Sequence, residues 1–138
     1  MEFITKSPGE TKKLGKTLAN NLTGGEIFAL TGNLGSGKTT FVQGFAEGLR
    51  VKTRIISPTF ILMRRYNIKP KNFYHVDLYR LEENAEKEVV NLGLTDIWGR
   101  KENIVVIEWA EKIKGLIPKS AKWITFEDLE GDKRKISI

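Results

Sequence analysis

Ile27-Phe28-Ala29-Leu30-Thr31-Gly32-Asn33-Leu34-Gly35-Ser36-Gly37-Lys38-Thr39-Thr40-Phe41-Val42 is the stretch that decides the fold. Its first four residues form an unbroken apolar run of strand length, the pattern of a parallel strand buried on both faces. Gly32 to Thr39 fits G-x-x-x-x-G-K-[ST]. Beyond it, Phe41, Val42, Phe45 and Leu49 recur at helical spacing. The motif therefore lies between a buried strand and an amphipathic helix, where it has a physical purpose. Glycines at Gly32, Gly35 and Gly37, with Ser36 between them, let successive backbone N–H groups curl around a phosphate. The helix N-terminus adds its partial positive charge. In this reading Lys38 bridges β- and γ-phosphates and the Thr39 hydroxyl sits on Mg²⁺. The loop predicts a bound nucleoside triphosphate; a glycine turn that only caps a helix is the weaker explanation.

Such a loop needs a second metal anchor, an acid at the end of a neighbouring buried strand. Phe73-Tyr74-His75-Val76-Asp77 and Ile104-Val105-Val106-Ile107-Glu108 both qualify. The second is the cleaner apolar run, so Glu108 is the first choice for the Mg²⁺ shell. Asp77 then orients the attacking water or acts through a water on the metal. Ser57-Pro58-Thr59-Phe60 follows Lys38 by about twenty residues and resembles a switch segment in which Ser57 or Thr59 senses the γ-phosphate, although Ser-Pro is also a common turn. His75 reads as a packed strand residue rather than a catalyst. Tyr79 and Arg80 read as candidates for a partner or an anion contact, and a solvated loop explains them equally well. Trp98 and Trp123 are assigned to the core, and Trp109 to the strand edge where an α/β sheet places its ligand.

Working outward, Met1–Lys6 predicts an opening strand. Ser7-Pro8-Gly9-Glu10 has the form of a capping box, followed by a helix with Leu14, Leu18 and Leu22 on one stripe. Arg54-Ile55-Ile56 predicts a short strand. Phe60–Tyr66 and Phe73–Asp77 predict a pair of strands around Pro70, and Glu83–Leu92 a helix. Ile104–Ile107 is expected to end in Glu108 and to be followed by a short helix up to Leu116. Lys122–Phe126 and Arg134–Ile138 predict a hairpin turning at Glu130-Gly131-Asp132. The fold class expected is α/β, a P-loop NTPase fold in one domain over residues 1–138, with a mixed, mainly parallel sheet flanked by helices.

The 138 residues carry 23 Lys+Arg against 17 Asp+Glu, a net charge of +6, with small basic clusters at Lys12-Lys13, Arg64-Arg65 and Lys133-Arg134-Lys135. An acidic partner is compatible with this excess, and a solvated surface explains it equally well. The absence of Cys excludes a disulfide framework and a thiolate site, and a single His leaves little room for zinc or a Ser-His-Asp triad. No apolar run approaches the ~18 residues of a membrane span. The N-terminus lacks a signal-peptide core, so the expectation is cytoplasmic.

Taken together, Gly32–Thr40 with Phe41, Ser57–Phe60, His75-Val76-Asp77-Leu78-Tyr79-Arg80-Leu81, Leu92-Gly93-Leu94, Ile107-Glu108-Trp109 and Leu116-Ile117-Pro118 resemble the TsaE (YjeE) family, in family order. The resemblance implies a bacterial ATPase that uses ATP and Mg²⁺ and is needed for threonylcarbamoyladenosine (t6A) modification of tRNA. Such an enzyme is weak alone and works with the TsaD–TsaB pair, touching tRNA only through that complex. It implies that Gly35 to Thr40 hold the phosphates, Thr39 and Glu108 the Mg²⁺, that Asp77 serves hydrolysis, and that Trp109 lies near the nucleotide. The start of the first helix, Ser7 to Thr11, is expected to border the adenine. The chain departs from the family pattern at Asn33, Ser36 and Ala110, where Asp, Ala and Pro are usual. The first two lie where backbone N–H groups do the binding, so affinity is expected to survive.

Other classes fit less well. A small-molecule P-loop kinase needs an acceptor pocket and an Arg-bearing lid, and Arg64 to Arg80 is too short for both. A non-catalytic nucleotide-gated binding module would not need both Asp77 and Glu108. Direct tRNA binding lacks an aromatic-basic stripe.

Overall fold

The computed structural model describes residues 1–53, 55 and 62–138. A seven-stranded sheet runs through it in the order β1-β7-β6-β2-β5-β4-β3. The strands are β1 (Glu2–Thr5), β2 (Ile27–Gly32), β3 (Met63–Ile68), β4 (Lys71–Asp77), β5 (Asn103–Glu108), β6 (Lys122–Asp128) and β7 (Arg134–Ser137). The central four, β6, β2, β5 and β4, are joined by parallel ladders. Antiparallel pairs finish both edges: β3 on β4, and the β6–β7 hairpin with β1 against it. The expected mixed sheet is what forms, parallel at its centre and antiparallel at both edges, with three ladders of each kind.

Side-chain alternation along the buried strands accounts for their continuous apolar runs. Phe28, Leu30, Phe73, Ile104 and Val106 face one layer, while Ile27, Ala29, Val76, Val105 and Ile107 face the other. The first layer is covered by α1 (Pro8–Ala19) and α2 (Lys38–Gly48). Its centre is aromatic: Phe45 lies edge-on to Phe28 at 5.1 Å between ring centroids and 5.7 Å from Phe73. The second layer is closed by α3 (Ala85–Asn91), α4 (Leu94–Ile97) and a 3₁₀ turn, Ala110–Ile113.

Helix α1 begins as its sequence predicts. The Ser7 hydroxyl accepts from the Glu10 N–H at 3.2 Å, and the Glu10 carboxylate accepts from the Lys6 N–H at 3.0 Å. It ends at Ala19, so Leu22 packs from the following turn rather than from the helix stripe. Helices α1 and α2 cross at glycines: a Cβ at Gly15 would collide with the Phe41 carbonyl, and one at Gly44 with the Lys12 carbonyl.

Three expectations are adjusted. Of the strand expected at Phe60–Tyr66, residues 60 and 61 lie outside the described residues, and the strand observed at Met63–Ile68 runs on past Tyr66 because it pairs up to the tight turn at Lys69-Pro70, Ile68 opposite Lys71. The helix expected up to Leu116 is only the 3₁₀ turn ending at Ile113. Trp98 and Trp123 are half-buried at the margin of the second layer rather than inside it. Of the strand expected at 54–56 only Ile55 is described; it is buried against the aromatic layer and belongs to no strand. Among the described residues no helix is long and apolar enough to cross a membrane.

Candidate nucleotide-binding site

The site is built where β2, β4 and β5 end on the same side of the sheet, the edge at which open α/β folds receive ligands. Strand β2 stops at Gly32, and the chain turns through Asn33–Gly37 into α2. Gly35 has φ +78 and Gly37, at the helix N-cap, φ +100; both values favour glycine. No side chain caps this helix. Its first-turn N–H groups therefore remain for an anion placed before them. Ser36 is buried, and its N–H donates to the Asn33 carbonyl at 3.1 Å, closing the loop from inside.

Lys38 is almost fully buried. Its ammonium donates to the carbonyls of Gly32 and Asn33 at 2.5 and 2.9 Å, and lies 4.2 Å from the centroid of the Trp109 ring. Burial pulls its pKa below the ordinary lysine value, and the nearby carboxylates of Glu108, Glu111, Asp77 and Asp128 oppose that shift. Opposite it, Asp77 and Glu108 are register partners at the ends of β4 and β5. The Thr39 hydroxyl donates to Glu108 Oε1 at 3.0 Å, and the Tyr79 N–H to Asp77 Oδ1 at 3.0 Å. Buried acids and a buried cation thus meet at the mouth of one helix.

These side chains enclose a cleft of about 250 Å³. Of the residues singled out in the sequence, Gly35, Gly37, Lys38, Thr39 and Thr40 line it from the loop and α2, and Asp77, Glu108 and Trp109 from the strand ends. Gly32 and Ser36 support it from behind: a Cβ at Gly32 would press on the Phe126 carbonyl oxygen at 2.6 Å and on the Ser36 hydroxyl at 2.9 Å. Ser57 and Thr59 lie outside the described residues. Pro8 and Thr11, at the start of α1, form part of the wall, where the resemblance expects the adenine.

Several contributors were not singled out. Arg134 donates to the Gly35 carbonyl at 3.1 Å while its Nε holds Asp128 at 3.0 Å, so the β6–β7 hairpin is tied to the loop. In the sequence it is one member of a basic cluster, and only the parallel pairing of β6 with β2 brings it there. Trp109 adopts a left-handed conformation, φ +60, uncommon for a non-glycine residue. Lys112 secures that corner, donating to the carbonyls of Tyr79 and Leu81 at 2.7 and 2.5 Å, and Tyr79 packs against Trp109 at 5.3 Å. His75 is buried as expected, yet it does more than pack: its Nε2 lies 2.5 Å from Glu108 Oε2.

The family model for the threonylcarbamoyl adenosine biosynthesis protein TsaE matches residues 5–136. The chain belongs to the TsaE family. Its relatives include the Bacillus subtilis tRNA threonylcarbamoyladenosine biosynthesis protein TsaE, 36% identical over 100% of this chain and 84% of that protein. The Aquifex aeolicus protein of the same name is 35% identical over 99% of this chain and 94% of its own length. The crystal structure of Bacillus subtilis YdiB superposes with a TM-score of 0.79 and 32% identity, covering 99% of this chain and 82% of that one. Membership of the TsaE family agrees with the sequence resemblance and with the α/β architecture.

Proposed function

We propose that this TsaE-family chain is a Mg²⁺-dependent ATPase that supports t6A modification of tRNA, acting with the TsaD–TsaB pair and meeting tRNA only through that complex. The observation that carries the reading is the convergence of Lys38, Thr39, Asp77 and Glu108, from three separate elements, on one cleft. Family membership and the names of the relatives support the tRNA-modification role.

The donor set suits Mg²⁺. A hydroxyl and carboxylates are hard oxygen ligands, and Thr39 Oγ1 already lies within hydrogen-bond distance of Glu108. Among the described residues no group of three or more His, Cys, Asp or Glu could hold a metal by itself. That favours an ion completing its shell with phosphate and water, as Mg²⁺ does, over one held in an all-protein cage. The ion would neutralise charge on the β- and γ-phosphates.

The chain's own residues divide the remaining work. The loop N–H groups and the Lys38 ammonium bind the triphosphate, for which Lys38 would exchange its bonds to the Gly32 and Asn33 carbonyls. Thr39 and Glu108 hold the metal. Asp77, anchored by the Tyr79 N–H, orients the attacking water. Trp109, whose ring centroid lies 4.2 Å from the ammonium, shares the cleft wall with it.

The deciding experiment is Mg²⁺-ATP hydrolysis by the chain alone and with TsaD–TsaB from the same organism. Slow turnover alone and strong stimulation by the pair are expected. Equal, negligible turnover in both would instead favour a nucleotide-gated binding module, and phosphate transfer to a small acceptor would favour a kinase.

A further inference from the structure

We propose that His75 is a positioning residue that divides the two oxygens of Glu108, holding Oε2 so that Oε1 is presented to Thr39 and the metal; the inference rests on the reading of Glu108 as the Mg²⁺ anchor. His75 and Asp77 alternate on the same face of β4, and that face meets Glu108 at the end of β5. The two carboxylate oxygens have separate partners, His75 Nε2 at 2.5 Å and the Thr39 hydroxyl at 3.0 Å. His75 is fully buried and Glu108 almost so. Water is therefore a poor substitute for the histidine bond.

The direction of the histidine bond follows from its surroundings. An ionised carboxylate only accepts, so Nε2 donates. Among the described residues, Nδ1 is buried without a hydrogen-bond partner. A lone pair at Nδ1 costs less there than an N–H with no acceptor, which selects the tautomer protonated at Nε2. A carboxylate free to rotate would offer a metal two equivalent oxygens in many orientations. One pinned at Oε2 offers a single oxygen in one direction, the task performed by groups that brace metal ligands from behind.

The test compares wild type, His75→Leu and His75→Gln, whose side-chain amide can still donate. Binding of a fluorescent non-hydrolysable ATP analogue is titrated with Mg²⁺ and repeated in EDTA. The Mg²⁺ concentration for half-maximal effect is expected to rise roughly tenfold or more in His75→Leu. It should return most of the way in His75→Gln, with EDTA binding equal in all three. An unchanged Mg²⁺ requirement in His75→Leu overturns the inference. So does a Gln variant as impaired as Leu with EDTA binding lost in both, the mark of a merely structural residue. Wild-type protein with no Mg²⁺-sensitive binding overturns the reading of the cleft itself, and this inference with it. Because His75 is the only histidine in the chain, ¹⁵N spectra supply a second readout that does not depend on how well the Leu variant folds. A single imidazole protonated at Nε2, whose signal moves in Glu108→Gln, is expected. A ring protonated at Nδ1 alone, or one indifferent to Glu108→Gln, contradicts the proposal.

Discussion

Helix α2 joins two regions that rest on different physics. From Phe41 onward it packs Phe41, Val42 and Phe45 into an aromatic layer, where Phe45 touches Phe28, Phe41 and Phe73, and Phe41 also touches Phe126. At its first turn it delivers Lys38 and Thr39 into a cleft where the Lys38 ammonium has three hydrogen-bond partners and the Thr39 hydroxyl one. The first region draws its stability from area removed from water. The second gains little stability from burying charges, which must be desolvated to be there. Substitutions in the layer should therefore reduce stability and leave ligand affinity alone, while those in the cleft should do the reverse.

The largest effect is expected from the layer. Phe45→Ala removes a fully buried ring that contacts Phe28, Phe41 and Phe73, and should cost about 3–5 kcal/mol in chemical denaturation. Nucleotide affinity, measured below the new midpoint, should be unchanged. Lys38→Ala is the counterpart. It should lower ATP affinity by roughly a hundredfold, since several charge-assisted hydrogen bonds are lost together, and move the denaturation midpoint little. A Lys38→Ala protein that binds ATP normally would dissolve the distinction between the two regions.

Smaller effects sharpen the boundary. Arg134 belongs to both regions, linking the β6–β7 hairpin to the Gly35 carbonyl. Arg134→Ala should cost about 1–2 kcal/mol of stability and also weaken nucleotide binding several-fold by calorimetry. Arg134→Lys should not restore it, because one ammonium cannot reproduce the fork that holds Asp128, Gly131, Lys133 and Gly35. Ser7→Ala removes only the α1 cap and should cost about 1 kcal/mol with no change in affinity. A large loss of affinity there would mean that the start of α1 does more than form the wall.

The same division governs what was legible in the sequence. Features announced by neighbours in the chain were readable: the apolar runs of β2 and β5, the capping box of α1, the phosphate loop, and Asp77 and Glu108 as strand-end acids. Features made by chain crossings were not. Glycine at Gly15 or Gly44 reads as helix weakness until the two helices are seen to touch there. Arg134 lies 99 residues from Gly35 and looks like surface charge. His75 has the alternation of an ordinary strand residue, and its bond to Glu108 depends on β4 and β5 being parallel neighbours in that register. The left-handed Trp109 and its Lys112 brace follow a buried strand with no glycine to mark the turn.

The central claim is that the cleft recognises a triphosphate together with Mg²⁺, through Lys38, Thr39 and Glu108. Calorimetric titration of the wild-type chain with ATP and with AMP, each with and without Mg²⁺, tests it most directly. ATP should bind, Mg²⁺ should strengthen that binding, and AMP, which lacks the phosphates Lys38 is placed to hold, should bind far more weakly and without regard to Mg²⁺. Equal affinities for ATP and AMP, or ATP binding indifferent to Mg²⁺, would contradict it.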